Sequence, residues 1–109
     1  MNVTHDMIYG YTDSIILRFL SAGDNYGYEI NRSIAQKSKG RLALKEATLY
    51  TALRRLEKDG LITSYWGTDD KSGGPRRRYY AITQAGRERL EQRLREWAEM
   101  RELMEMLLT

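Results

Sequence analysis

Apolar positions along the chain recur at helical spacing three times, then alternate, then return to helical spacing. Ile15, Ile16, Phe19 and Leu20 predict a first helix over residues 9–22, capped by Thr12 or Asp13 and closed by Gly23. Ile30 and Ile34, with Tyr26 or Tyr28, predict a second over about 27–38, with Asp24 and Asn25 as N-terminal caps and Gly40 at its end. Leu42 and Leu44 suggest a short edge strand. Leu49, Ala52, Leu53 and Leu56 then fall at i, i+3, i+4 and i+7, which predicts a helix over 45–59 with one buried stripe. Gly60 is placed to cap its end, whereas Leu44 offers nothing to the first-turn amides. Residues 61–66 and 78–83 are rich in β-branched and aromatic side chains. Between them, residues 67–75 are dense in turn formers and include the single proline, Pro75. This predicts an antiparallel hairpin with a long tip. Residues 1–8 read as a loose arm.

From Thr83 onward there is no proline and no glycine after Gly86. A helix of about 26 residues, about 39 Å long, is expected. Leu90, Leu94, Trp97, Met104 and Leu108 lie on one seam, interrupted by Arg101 and widened by Met100, Leu103 and Leu107. A lone helix cannot bury that seam, so it either folds back on its own domain or meets a second copy. The helix outreaches the core that the other 83 residues can build, which favours a homodimer. The expected organisation is mostly α with a small β-hairpin. Residues 1–83 form a winged helix-turn-helix DNA-binding domain, and residues 84–109 a C-terminal dimerisation helix.

Charge adds a direction. The chain of 109 residues carries a formal net charge of +3, but residues 84–109 hold five Arg against six Glu. Residues 1–83 hold thirteen basic against nine acidic side chains, and the surplus lies in 41–78, with nine against five. A local basic surface beside a neutral tail suits a polyanion on one face. The absence of cysteine removes disulfides, thiolate metal sites and cysteine nucleophiles. The one histidine, His5, lies in the terminal arm, and no Gly-rich phosphate loop precedes a helix. No enzyme chemistry, metal or cofactor is therefore expected. No apolar run nears the ~20 residues that span a bilayer, and no signal peptide is visible, so a cytoplasmic protein without membrane contact is expected.

Helix, helix, helix, hairpin is the order of a winged helix-turn-helix, whose third helix enters the major groove of duplex DNA. With the Leu49 stripe buried, Glu46, Ala47, Thr48, Tyr50, Thr51, Arg54 and Arg55 are expected outside, with Lys45 and Lys58 at the ends. Hydroxyls of Thr48, Tyr50 and Thr51 suit phosphates, methyl groups suit thymine, and Arg54 suits a guanine edge or a phosphate. The hairpin supplies Lys71, Arg76, Arg77 and Arg78. Strand alternation sets Arg76 and Arg78 on one face and Arg77 on the other, so at least one guanidinium points away from the core. Asp69 and Asp70 at the same tip oppose DNA unless a cation pairs with them.

The combination Tyr26-Gly27-Tyr28-Glu29-Ile30, Thr48-Leu49-Tyr50, Leu56-Glu57-Lys58-Asp59-Gly60-Leu61-Ile62, Tyr65-Trp66 and Gly73-Gly74-Pro75-Arg76-Arg77-Arg78-Tyr79-Tyr80 resembles the PadR-like family of bacterial transcriptional regulators. Leu53, Thr83 and Gly86 extend the match, which spans about 26–97. The resemblance implies a winged helix, a dimer through the last helix, and repression at an inverted-repeat operator. The short C-terminal helix is similar to the subfamily that lacks a larger added domain. Ala47 and Thr51 depart from the glycine and proline frequent at those positions, which bears on the DNA sequence read there. Some relatives of this short type hold flat aromatic or cationic compounds between subunits on a tryptophan of the last helix. By that resemblance Trp97 is the platform, with Met7, Ile8, Tyr11, Met100 and Met104 around it. Trp97 as plain core of the dimer seam is the alternative. For the whole chain, the alternative to a regulator is a winged-helix protein-interaction module without ligand response.

Overall fold

The computed structural model describes residues 8, 10–68 and 76–109. Among them, four helices and a three-stranded sheet follow in the order α1 (Thr12–Ser21), β1 (Asn25–Tyr26), α2 (Gly27–Lys37), α3 (Glu46–Lys58), β2 (Ile62–Trp66), β3 (Arg78–Ile82) and α4 (Gln84–Leu108). The anticipated calls on His5, Met7, Asp69, Asp70, Lys71, Gly73, Gly74 and Pro75 lie outside the described residues.

Helical spacing located the core. Ile16, Leu17 and Leu20 of α1, Ile30 and Ile34 of α2, and Leu49, Ala52, Leu53 and Leu56 of α3 are buried together with Leu44, Leu61, Ile62, Tyr80 and Leu90. Removing such side chains from water supplies most of the drive to fold, at about 1.5–3 kcal/mol for each large one. Neither Tyr26 nor Tyr28 joins this core, contrary to the pattern's suggestion. Tyr26 lies in β1, and Tyr28 remains 70% exposed at the start of α2.

The sheet differs from a plain hairpin. β2 and β3 pair antiparallel from Ile62↔Ile82 to Trp66↔Arg78. β1 then pairs with the other side of β3, Asn25↔Tyr80 and Tyr26↔Tyr79, giving the order β1-β3-β2. The edge strand expected at Leu42–Leu44 is therefore replaced by Asn25–Tyr26. The reason lies in hydrogen bonds. The Leu44 amide donates to Asn31 Oδ1 at 3.0 Å, and Asn31 Nδ2 donates to the Leu44 carbonyl at 2.7 Å. The Leu42 amide donates to Ser38 Oγ at 3.0 Å. Side chains of α2 thus satisfy the backbone that a sheet would have used.

Helix ends also depart from expectation at their N-termini. Neither Thr12 nor Asp13 caps α1, and α2 starts at Tyr26 without a side-chain cap. Asn25 Oδ1 instead accepts from the Tyr26 amide, and Asp24 accepts from the Tyr65 hydroxyl at 2.6 Å. Only α4 has the cap the sequence offers, the Gly86 amide donating to Thr83 Oγ1 at 3.0 Å. At the end of α3 the Leu61 amide donates to the Leu56 carbonyl and the Gly60 amide to the Glu57 carbonyl, both at 3.0 Å. Gly60 sits at φ +76°, the left-handed conformation that this closing motif requires.

The 25-residue α4 gives the molecule its shape. Its first turns pack on the core through Gly86 and Leu90, and from residue 91 onward every residue is exposed. The radius of gyration is 15.5 Å, against about 13 Å for a compact chain of this length.

Candidate nucleic-acid interface

The buried stripe of α3 fixes what its opposite side presents. Counting 100° per residue, Ala47, Thr51, Arg54 and Lys58 lie farthest from the core, and all four are exposed. Arg54 Nη2 donates to Thr51 Oγ1 at 3.3 Å, so the two side chains form one polar patch. Lys45 is exposed just ahead of the helix.

This outward face is narrower than the sequence suggests. Thr48 and Tyr50 are half-buried flank positions. The Tyr50 ring packs against the core and lies across Gly27, where a Cβ would overlap its phenol. Tyr50 is thus corrected from an outward hydroxyl to a packing residue, because the missing side chain of Gly27 leaves a space that a flank aromatic fills. Arg55, on the other flank, is held by Asp13 of α1, with Nε donating to Asp13 Oδ2 at 3.3 Å and Nη2 to Oδ1. It ties two helices instead of standing out from one.

The wing arginines also divide. Arg76 is exposed just before β3. The Arg77 guanidinium lies 4.7 Å from the centre of the Tyr26 ring and is exposed to solvent on its other side. Tyr26 in turn meets Tyr79 edge-on at 5.5 Å, and Tyr79 stacks on Tyr65 at 5.8 Å. This aromatic row on the outer face of the sheet is the platform from which Arg77 extends. The hydrogen bond from Tyr65 to Asp24 holds the Tyr65 phenol above its ordinary pKa. Arg78 points to the inner face and is engaged there with Ser64 and Glu57. Thr51, Arg54, Arg76 and Arg77 are the polar side chains left open on helix and wing.

A second concavity separates α1 from α4. Tyr11, Ser14, Ile15, Arg18 and Phe19 face Arg93, Leu94, Glu96, Trp97 and Met100 across a cleft of about 550 Å³. Of the anticipated ligand residues, Tyr11, Trp97 and Met100 line it. Ile8 packs against the core instead, and Met104 lies farther along α4, exposed. Trp97 is 47% exposed, and the Arg101 guanidinium lies 5.2 Å from its ring centre.

Comparison with known proteins decides what carries these surfaces. The model of the transcriptional regulator PadR-like family matches residues 16–92. The chain belongs to the PadR-like family. Members of this family are transcriptional regulators, and membership implies DNA binding. Among solved structures, a transcriptional regulator from Clostridium thermocellum is 41% identical with a TM-score of 0.85, covering 95% of this chain and 99% of that one. A PadR family transcription regulator from Clostridium difficile is 38% identical with a TM-score of 0.78, covering 92% and 100%. A PadR-like transcriptional regulator from Bacillus cereus is 30% identical with a TM-score of 0.80, covering 95% and 97%. An uncharacterized protein of Lysinibacillus sphaericus is 42% identical over 106 residues, 97% of this chain and 95% of its own length. The PadR-like winged helix accounts for α3 and the β2–β3 wing. Among the described residues, no helix is long and apolar enough to cross a membrane.

Three features of this PadR-like chain escaped sequence reasoning. Asn31 sets the turn between α2 and α3, Asp13 reaches Arg55, and Glu57 reaches the wing. Each is a polar residue whose partner is distant in sequence, and no local pattern signals such a pair. Tyr28 is different. Its exposure was legible in principle, since it lies off the Ile30–Ile34 stripe.

Proposed function

We propose that this PadR-like chain is a homodimeric repressor, with residues 1–83 as the DNA-binding domain and 84–109 as the dimerisation helix. Two copies of α3 enter successive major grooves of an inverted repeat, and Arg76 and Arg77 hold the flanking backbone. The observation that carries this reading is the uncovered seam of α4. Leu94, Trp97, Met100, Leu103, Met104, Leu107 and Leu108 are all between 39% and 78% exposed in one chain. Contiguous apolar surface of that kind calls for a partner. A second α4 of the same sequence offers the same seam, and a two-fold pair would present two identical recognition surfaces to DNA.

The cleft between α1 and α4 suits a flat aromatic or cationic effector that releases the DNA. Trp97 offers a ring face, Met100 a polarisable edge and Glu96 a negative charge. The protein is placed in the cytoplasm, where its DNA is.

The test combines mass and footprint. Sedimentation should give a species of twice the 12.8 kDa chain, and that species should protect two symmetric half-sites one helical turn, or a multiple of it, apart. A monomer, or a single unpaired footprint, would contradict the reading. In a Trp66→Phe background, a flat cation that enters the cleft should change Trp97 emission and lower operator affinity together.

A further inference from the structure

Arg78 has the side chain of a phosphate contact, but its surroundings commit it elsewhere. Its Nη2 donates to Ser64 Oγ at 2.7 Å and lies 3.7 Å from Glu57 Oε1. Ser64 Oγ donates to Glu57 Oε2 at 2.6 Å. The Arg78 guanidinium carbon sits 5.6 Å from the centre of the Trp66 ring. Burial pushes the Tyr80 phenol up in pKa, and the charge of Arg78 beside it acts the other way. Glu57 belongs to the last turn of α3, Ser64 and Trp66 to β2, and Arg78 opens β3. One carboxylate therefore gathers the recognition helix and both strands of the wing.

We infer that Glu57 and Arg78 are positioning residues for DNA binding. Through Ser64 they fix the angle between α3 and the wing, so that Arg76 and Arg77 meet the backbone beside the groove that α3 enters. The inference rests on the DNA-binding reading above. Two arguments separate it from the simpler view of Arg78 as a phosphate clamp. First, reaching a phosphate would break one charge-assisted hydrogen bond and an ion pair and uncover Trp66. Second, the sign of one substitution differs. A carboxylate near DNA repels a polyanion, so electrostatics alone makes Glu57→Gln bind more tightly. A positioning role makes the same substitution bind its operator less selectively.

The experiment measures the affinity of the full chain for a duplex of its own upstream region and for a scrambled duplex of equal length. Fluorescence anisotropy across a salt series is applied to the wild type, Glu57→Gln, Arg78→Gln and the double variant. Each single substitution should lower the ratio of specific to non-specific affinity about fivefold per subunit, the range of a half-exposed ion pair. The double variant should fall no further, because the two residues act through one another. Arg78→Gln should keep the wild-type salt slope, whereas loss of a phosphate contact would make the slope shallower by about 0.9 per contact. Ser64→Ala removes the central hydroxyl without changing charge and should lower the ratio too. It carries the test if urea denaturation shows a charged variant unfolded. Tighter binding by Glu57→Gln, a shallower slope for Arg78→Gln, or losses that multiply in the double variant would each overturn the inference alone. A wild type that ignores the upstream duplex would overturn the DNA-binding reading, and the inference with it.

Discussion

Tyr50 and Arg54 stand four residues apart on α3 and answer to different demands. Tyr50 spreads its ring over Gly27 and the core, while Arg54 stands in solvent beside Thr51. Their substitutions should therefore separate stability from binding. Tyr50→Ala opens a space in a half-buried packing site and should cost about 2 kcal/mol, below the range for a fully buried aromatic. Arg54→Ala should leave stability within about 0.5 kcal/mol and cost about 1–3 kcal/mol of operator affinity. Urea denaturation and anisotropy on the same two variants check both halves. The hydroxyl of Tyr50 read as outward in the sequence because its helix angle lies between the buried and open faces. What decided its direction was the absence of a side chain at Gly27, on another helix. A single-helix pattern cannot contain that information.

At the scale of elements, the join between α3 and α4 controls how the recognition surface is carried. Thr83 Oγ1 donates to the Gly60 carbonyl at 2.8 Å, and the Thr83 amide donates to the Leu61 carbonyl at 3.1 Å. Gly86 then brings the first turn of α4 against the same strand entry, so close that a Cβ would overlap the Leu61 carbonyl oxygen. Alanine normally improves a helix interior over glycine by about 0.5–1 kcal/mol. Here Gly86→Ala should instead destabilise by about 1–3 kcal/mol, as overpacking against rigid backbone does. Chemical denaturation of Gly86→Ala against Arg87→Ala on the exposed side checks the sign. The helices themselves were legible, because Ile16, Leu20, Ile30, Ile34, Leu49, Leu53 and Leu56 repeat at the period of the structure they form. The hairpin strands were legible from their β-branched and aromatic composition. The third strand was not. A two-residue strand has no period, and its pairing depends on which backbone groups Asn31 and Ser38 have already taken.

For the molecule as a whole, the account joins a winged helix to a protruding helix whose apolar side has no cover in one chain. The family was legible from the motifs that run from Tyr26 to Gly86, and the match of residues 16–92 to the PadR-like family agrees with it. Which arginines stay open was not legible, because Arg55 and Arg78 differ from Arg54 and Arg77 only in partners supplied by Asp13 and Glu57. In the proposed dimer, Arg54, Arg76 and Arg77 of two copies are the cations that meet phosphates. The most direct measurement is the salt dependence of wild-type binding to a duplex of its own upstream region. Six such contacts predict that the logarithm of affinity falls against the logarithm of salt concentration with a slope of about −5, together with a preference over scrambled duplex of at least about a thousandfold. A slope near zero, or equal affinity for the two duplexes, would contradict the account.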